Sequence, residues 1–272
     1  MRLVLLLCAG CAAAEAHGSL LPAPPVAVEA SSHELGLFPG EAMAFDVKLA
    51  GVTAGVAQLA VGELGGFRDA AGVDHRAVVV TSRAETAGAA ALFKHIVDES
   101  TTTIDATSGR PLELDTHVEL GDKHSNATAT FSGSVADVTY TRGEDETLRH
   151  QKLDFGKVEV HDAHSAMAQL RGWRARPGAK RSVYLVGGRR LWRVDLTYGG
   201  GEAIGTALGN KRVVRYDGAA YRVGAGLQLA SNKPSRTFSV WLTDDADRVP
   251  VRVTAKTELG EIEMSITEYS RP

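Results

Sequence analysis

The chain has 272 residues, 44% of them hydrophobic and 23% charged, with a formal net charge of -3. That is ordinary globular composition, long enough for one large β domain or two small ones, and it excludes a polycation built to hold nucleic acid. Glycine, at 29 residues, and abundant threonine favour turns and strands over long helices.

The N-terminus reads as an export signal. Arg2 precedes the apolar run Leu3 to Leu7, and small residues follow. The run is too short to span a bilayer as a permanent helix. Both cysteines, Cys8 and Cys11, lie in this segment. Ala9-Gly10-Cys11 is similar to a lipid-attachment box with Cys8 in place of the usual leucine, so Cys11 is the expected lipidation site. Cleavage after Ala14 or Ala16, giving a soluble protein, is the alternative. Either outcome leaves a folded part without disulfides or thiolate chemistry. Residues 1–18 are thus expected to be the signal, and 19–36, stiffened by Pro22, Pro24 and Pro25, a tether. The β domain is expected over 37–272.

Met43, Phe45, Val47 and Leu49 alternate with polar or small residues and predict a first strand. Val52 to Val61 predicts a second, with Gly55 allowing close approach of another backbone. His75 to Ser82 carries Val78, Val79 and Val80 and reads as a strand buried on both faces. Thr86 to Ile96 is a short helix or an apolar loop, and Val97 to Ile104 a Thr-rich strand. Leu112, Leu114, Thr116, Val118 and Leu120 mark a half-buried strand, and Asn126 to Ser132 and Val135 to Arg142 follow as two more. Asp162 is placed to cap a helix over Ala163 to Trp173. Arg181 to Val186 and Arg189 to Tyr198 form a hairpin about Gly187-Gly188. Gly199-Gly200-Gly201 then predicts a turn, followed by strands over Ala203 to Leu208 and Lys211 to Tyr216.

The last stretch, Phe238 to Tyr269, is the clearest. Phe238, Val240 and Leu242 share a face; Val249, Val251, Val253 and Ala255 alternate with polar residues; so do Ile262, Met264 and Ile266. The acidic turn between the first two runs holds Asp244, Asp245 and Asp247. Strands at short intervals with almost no helix predict a single all-β domain, antiparallel and barrel-like or sandwich-like, with one or two short helices.

Three segments resemble the bacterial exported family catalogued as domain of unknown function 3108. The first is Gly40-Glu41 with Phe45, Gly51 and Gly55. The second is Asp162, Ser165, Leu170-Arg171 and Gly178, in a helix that departs from the family by being Ala-rich, with Met167 where an aromatic is expected. The third, and most specific, is Trp241-Leu242-Thr243, Asp245, Arg248 and Pro250-Val251. The resemblance implies an exported, mainly antiparallel barrel-like fold. It brings no activity and no catalytic residues. Trp241, Asp245, Arg248 and Pro250 read as residues that fix a strand corner, with Asp245 and Arg248 as an ion pair.

No catalytic set is evident. His161 and His164 have helix-face spacing, with His117 or His124 as a third ligand, yet this falls short of a zinc set, and neither a metal nor a cofactor is expected. Ser165 lacks the surroundings of a nucleophile and reads as a first-turn hydrogen-bonder. The uneven feature is charge. Arg171, Arg174, Arg176, Lys180, Arg181, Arg189, Arg190 and Arg193 occur with no acid among them, interleaved with Trp173, Tyr184 and Trp192. The expected contact surface is therefore Arg171, Arg174, Arg176, Lys180, Arg181, Tyr184, Arg190 and Trp192, on a non-catalytic, lipid-anchored envelope protein of the periplasm or outer membrane of a Gram-negative bacterium. Its partner would be an anionic envelope component rather than nucleic acid. Two alternatives stand. One is a carrier holding an apolar or amphiphilic ligand inside the barrel, unless Phe45, Trp192, Phe238 and Met264 fill it. The other is a hydrolase around His161, His164 and Ser165.

Overall fold

The computed structural model describes residues 36–142, 145–257 and 260–272. The signal, Cys11 and nearly all of the tether lie outside these. The first half of the domain contains β1 (Ala42–Leu49), β2 (Val52–Val61), β3 (Gly65–Arg68), β4 (Asp74–Thr86), the short helix α1 (Ala89–Phe93) and β5 (Ile96–Asp105). It continues with the meander β6 (Pro111–Leu120), β7 (Lys123–Ser132), β8 (Val135–Arg142) and β9 (Asp145–Asp154). The second half holds β10 (Val160–His161), the helix α2 (Ala163–Gly172), β11 (Lys180–Gly187), β12 (Arg190–Thr206) and β13 (Gly209–Val223). It closes with β14 (Arg236–Thr243), β15 (Pro250–Thr257) and β16 (Gly260–Ser270).

All strands join one sheet. Its order is β10-β11-β12-β13-β14-β15-β16-β1-β2-β4-β5-β6-β7-β8-β9, with β3 beside β4. Every ladder is antiparallel except the two-residue pairing of β10 with β11. The first and last strands meet in the middle of the sheet, where β16 pairs with β1. A sheet of this many twisted strands curls. Here the curl brings Leu114, Ala129 and Val138 of β6–β8 against Val186, Leu191 and Val223 of β11–β13. Among the described residues no ladder joins β9 to β10, so closure at that seam is by side-chain packing. The fold is barrel-like, a single curled sheet.

The inward faces follow the period-two patterns. Phe45 and Val47 are buried with Ala57, Ile262 and Ile266, and Phe238, Val240 and Leu242 with Val194, Val214 and Tyr216. A Cβ on Gly55 would fall 2.2 Å from the Glu85 carbonyl oxygen, so its slim face does admit the β4 backbone. The outer half of the β12–β13 hairpin folds back over the core, where Ile204 and Leu208 pack near Met43.

Three local expectations are corrected. Val79 is 42% exposed while Val78 and Val80 are buried, so β4 is half-buried rather than buried on both faces. Gly199-Gly200-Gly201 makes no turn. It lies within β12, which runs on to Thr206 with a bulge between Tyr198 and Gly200, because glycines in a strand relieve a bulge as readily as they build a turn. The acidic turn holds no Asp245–Arg248 ion pair: Asp245 Oδ1 accepts from Thr243 Oγ1 (2.6 Å) and from the Arg248 backbone N–H (3.0 Å), and the guanidinium points elsewhere.

Candidate functional site

The site is organised by α2. Asp162 is its N-cap: the carboxylate accepts from the backbone N–H groups of His164 and Ser165, and Ser165 Oγ accepts from the Asp162 N–H, completing a capping box. Such a cap contributes about 0.5–2 kcal/mol. Ser165 is fully buried in this role, and its hydroxyl donates back to Asp162 Oδ1 (2.5 Å), which commits the side chain to the cap. His161 is not on the helix. It ends β10, pairs opposite Leu185, and does not share a helix face with His164.

The C-terminal turn of α2 is held by charge. Arg171, only 4% exposed, donates from Nη1 to Glu41 Oε1 (2.5 Å) and from Nη2 to Glu41 Oε2 (2.7 Å). Nη2 also donates to the Asp247 carbonyl (2.7 Å). Tyr269 Oη donates to Glu41 Oε2 (3.2 Å); burial, then the Glu41 charge, push its pKa up to about 12. Beyond the helix, Trp173 packs against Tyr198 and Tyr216, and its carbonyl accepts from Tyr216 Oη (2.7 Å) and Arg248 Nη2 (3.1 Å). One helix thus touches β13, the β14–β15 turn and the entry to β1. Only a helix enclosed by the curled sheet reaches all of these.

The N-terminal turn reaches β4 and β5. His164 Nε2 lies 2.9 Å from Ser82 Oγ, and Nδ1 lies 2.8 Å from Thr102 Oγ1, which is 2.6 Å from Asp162 Oδ2. The protons in this chain are determined. Burial pushes the Asp162 carboxyl up; the pull of His164 in its protonated form and, whatever the state of that ring, hydrogen bonds from the Ser165 hydroxyl, the Thr102 hydroxyl and the Ser165 backbone N–H hold the group below the usual carboxylate range. Thr102 must therefore give its one hydroxyl proton to the carboxylate and accept from His164 Nδ1–H. Burial depresses the His164 pKa against the pull of Asp162, so the ring is neutral near pH 7 and Nε2 accepts from the Ser82 hydroxyl. Ser82, His164, Thr102 and Asp162 form one directed relay.

This relay borders a cavity of about 140 Å³ in the barrel interior. Its apolar wall includes Phe45, Leu114, Met167, Val186 and Met264, from β1, β6, α2, β11 and β16; its polar part includes Ser82, Asp162 and His164, with Gln58, Arg83, Asp98, Ser100 and Thr116 also on the lining. Phe45, Trp192 and Phe238 are core residues, as a filled barrel requires, but the space between Phe45 and Met264 is not filled. Ser82 and Thr102 were missed in the sequence. Their signal was a polar side chain in phase with the inward residues, Val78, Val80 and Ala84 on β4 and Ile96 and Ile104 on β5.

The expected basic surface does not assemble. Arg171 is consumed by Glu41, and Trp192 is a core residue, 7% exposed. A long cation beside an apolar helix face can be drawn inside when a carboxylate waits there, and a run of like charge does not reveal that partner. Arg174, Arg176 and Lys180 are exposed, and Arg190 is half-buried. Arg181 is half-buried, its pKa lowered by desolvation against the pull of Glu159. Tyr184 packs partly with the seam cluster. The groove beside Lys180 and Arg181 is also lined by Arg215, Arg252 and Lys256 and by the acids Asp195, Asp217, Glu261 and Glu263, so cations and acids are nearly matched there. Of the corner residues, Trp241 donates to Glu202 Oε1 (2.5 Å) and lies under Arg215, Arg248 is 2% exposed, and Pro250 opens β15 at the cavity wall.

The fold defines a barrel-like antiparallel protein with a helix seated inside its sheet. Residues 44–267 match the family described as Protein of unknown function (DUF3108), and the chain belongs to that family. No curated protein matches it. Among solved structures, a β-barrel-like protein of the DUF1849 domain of unknown function from Brucella abortus is similar at a TM-score of 0.58 and 12% identity, over 86% of this chain and 98% of that one. A structure from Bacteroides fragilis described as having a YmcC-like fold covers 86% of this chain and 99% of its own at a TM-score of 0.37 and 6% identity.

A group with a depressed folded pKa stabilises above its unfolded pKa, and that contribution is lost as pH falls. His161 and His164 are of this kind, so their contribution is complete above about pH 6.5 and declines below it. His75 and His117, raised by hydrogen bonds to Asp105 and Glu119, have the opposite sign. His164→Asn is expected to flatten the fall in urea-unfolding stability between about pH 7 and pH 5. An unchanged slope would show that His164 does not titrate with folding.

Proposed function

We propose that this protein is an exported envelope protein that holds the apolar part of a small amphiphilic ligand in its interior cavity, with Ser82 and His164 meeting the polar part. The single observation that carries the reading is the cavity: apolar over most of its wall, with a smaller polar portion that includes Ser82 and His164. Its volume is close to the ~150 Å³ apolar cavities that take up benzene, so the portion buried is a ring or a short acyl stretch. Export rests on the N-terminal sequence, with Arg2, the leucine run and Cys11 as a lipid anchor to a membrane. The carrier reading is favoured over docking of an anionic envelope component, because Arg171 and Trp192 are internal and the groove at Lys180 and Arg181 mixes cations with a nearly equal number of acids.

Met167 lines the cavity and is only partly buried, so Met167→Trp fills the space from the helix side. Saturating benzene is expected to raise the Tm of the wild-type chain and not that of a folded Met167→Trp variant. Native mass spectrometry of wild type purified from envelopes should show a retained amphiphile. No Tm shift in wild type, or equal shifts in both, would overturn the reading.

The relay favours a second reading, acyl-ester hydrolysis. Ser82 Oγ would bond to the acyl carbon while its proton passes to His164 Nε2 and on to the departing alcohol; water then releases the acid. A fluorophosphonate ester is expected to label wild type and Ser165→Ala, but not Ser82→Ala. Labelling that survives Ser82→Ala, or is absent from wild type, would remove this reading and leave the carrier standing.

A further inference from the structure

A second constellation lies away from α2, at the end of the β6–β7 hairpin. His117 and Glu119 are two apart on β6 and so share a face. His124 on β7 is the cross-strand partner of Glu119, and Asn126 that of His117. One ligand atom from each of His117, Glu119 and His124 lies within 4.8 Å of the others. His117 Nε2 is 3.0 Å from Glu119 Oε1, and the rings of His117 and His124 stack at 6.3 Å. His95, ahead of β5, brings its Nε2 within 3.7 Å of Glu119 Oε2.

We infer that His117, Glu119 and His124 form a solvent-facing binding site for a divalent transition-metal ion of the zinc type, with His95 as a fourth ligand. Two imidazoles and a carboxylate are the donor set of open zinc sites, and imidazole selects Zn²⁺, Ni²⁺ and Cu²⁺ over Mg²⁺ and Ca²⁺. The outer partner is already in place. Asn126 Oδ1 lies 2.5 Å from His117 Nδ1 and accepts its N–H, which leaves Nε2 as the ligating nitrogen and orients the ring. The strands are paired through the hairpin from Glu113 to Leu120, so only side-chain rotation is needed to bring the donors to bonding distance. Sequence spacing offered His117 or His124 as a third ligand beside His161 and His164. The fold instead gives them each other and Glu119.

Isothermal titration of the full chain with ZnCl2, after removal of metal by chelator, tests this. One Zn²⁺ per chain is expected, with MgCl2 giving no heat of binding. Binding should be abolished in His117→Ala/His124→Ala, weakened about 10–100-fold in Asn126→Ala, and unchanged in His161→Ala. These exposed or half-exposed hairpin positions allow the variants to be checked for native circular dichroism. Zinc binding that persists in the double variant, or none in wild type, would overturn the site.

Discussion

The structure depends on a buried ion pair. Glu41 stands just ahead of the first strand and Arg171 in the last turn of α2, and neither side chain meets solvent to any extent. Two such charges are costly to bury singly and tolerable only when paired and fully hydrogen-bonded. Here the Asp247 carbonyl and the Tyr269 hydroxyl complete the set. The pair therefore specifies where α2 must sit: against the start of β1, below the β14–β15 turn, inside the curled sheet. Gly36 follows the same logic, since a Cβ there would fall 2.3 Å from the Arg171 Cβ. The entering chain lies directly on the helix.

With α2 so placed, the three segments that resemble the DUF3108 family become one assembly. Glu41 comes from the first, Asp162, Ser165 and Arg171 from the second, and the turn bearing Asp247 and Arg248 from the third. They are the docking apparatus of the helix. The cavity is a consequence of that docking, because α2 spans the concave face without filling the space between Met167, Phe45 and Met264. The groups with chemical potential, Ser82 and Thr102, come from strands outside those segments.

Much of the fold was legible. Period-two alternation located β1, β6, β14, β15 and β16, and Asp162 with Ser165 announced the start of α2. The long β12 was cut short because three glycines resemble a turn, and only the ladder with β13 shows that they sit in a bulge. The site was much less legible. Arg171 sits in a basic run and looks solvated until Glu41, 130 positions away, is brought to it. His164 invited pairing with its neighbours His161 and Ser165, whereas its partners are Ser82 and Thr102 across the barrel. Local patterns report which face of an element is apolar. They do not report which distant polar group arrives there.

The most direct measurement is a double-mutant cycle on Glu41 and Arg171 by urea unfolding. If the pair holds α2 in place, Arg171→Met and Glu41→Leu should each cost about 3–5 kcal/mol, since each strands a buried charge. The double variant should cost far less than their sum. Single losses below about 1 kcal/mol, as for an exposed pair, or simple additivity would contradict the account.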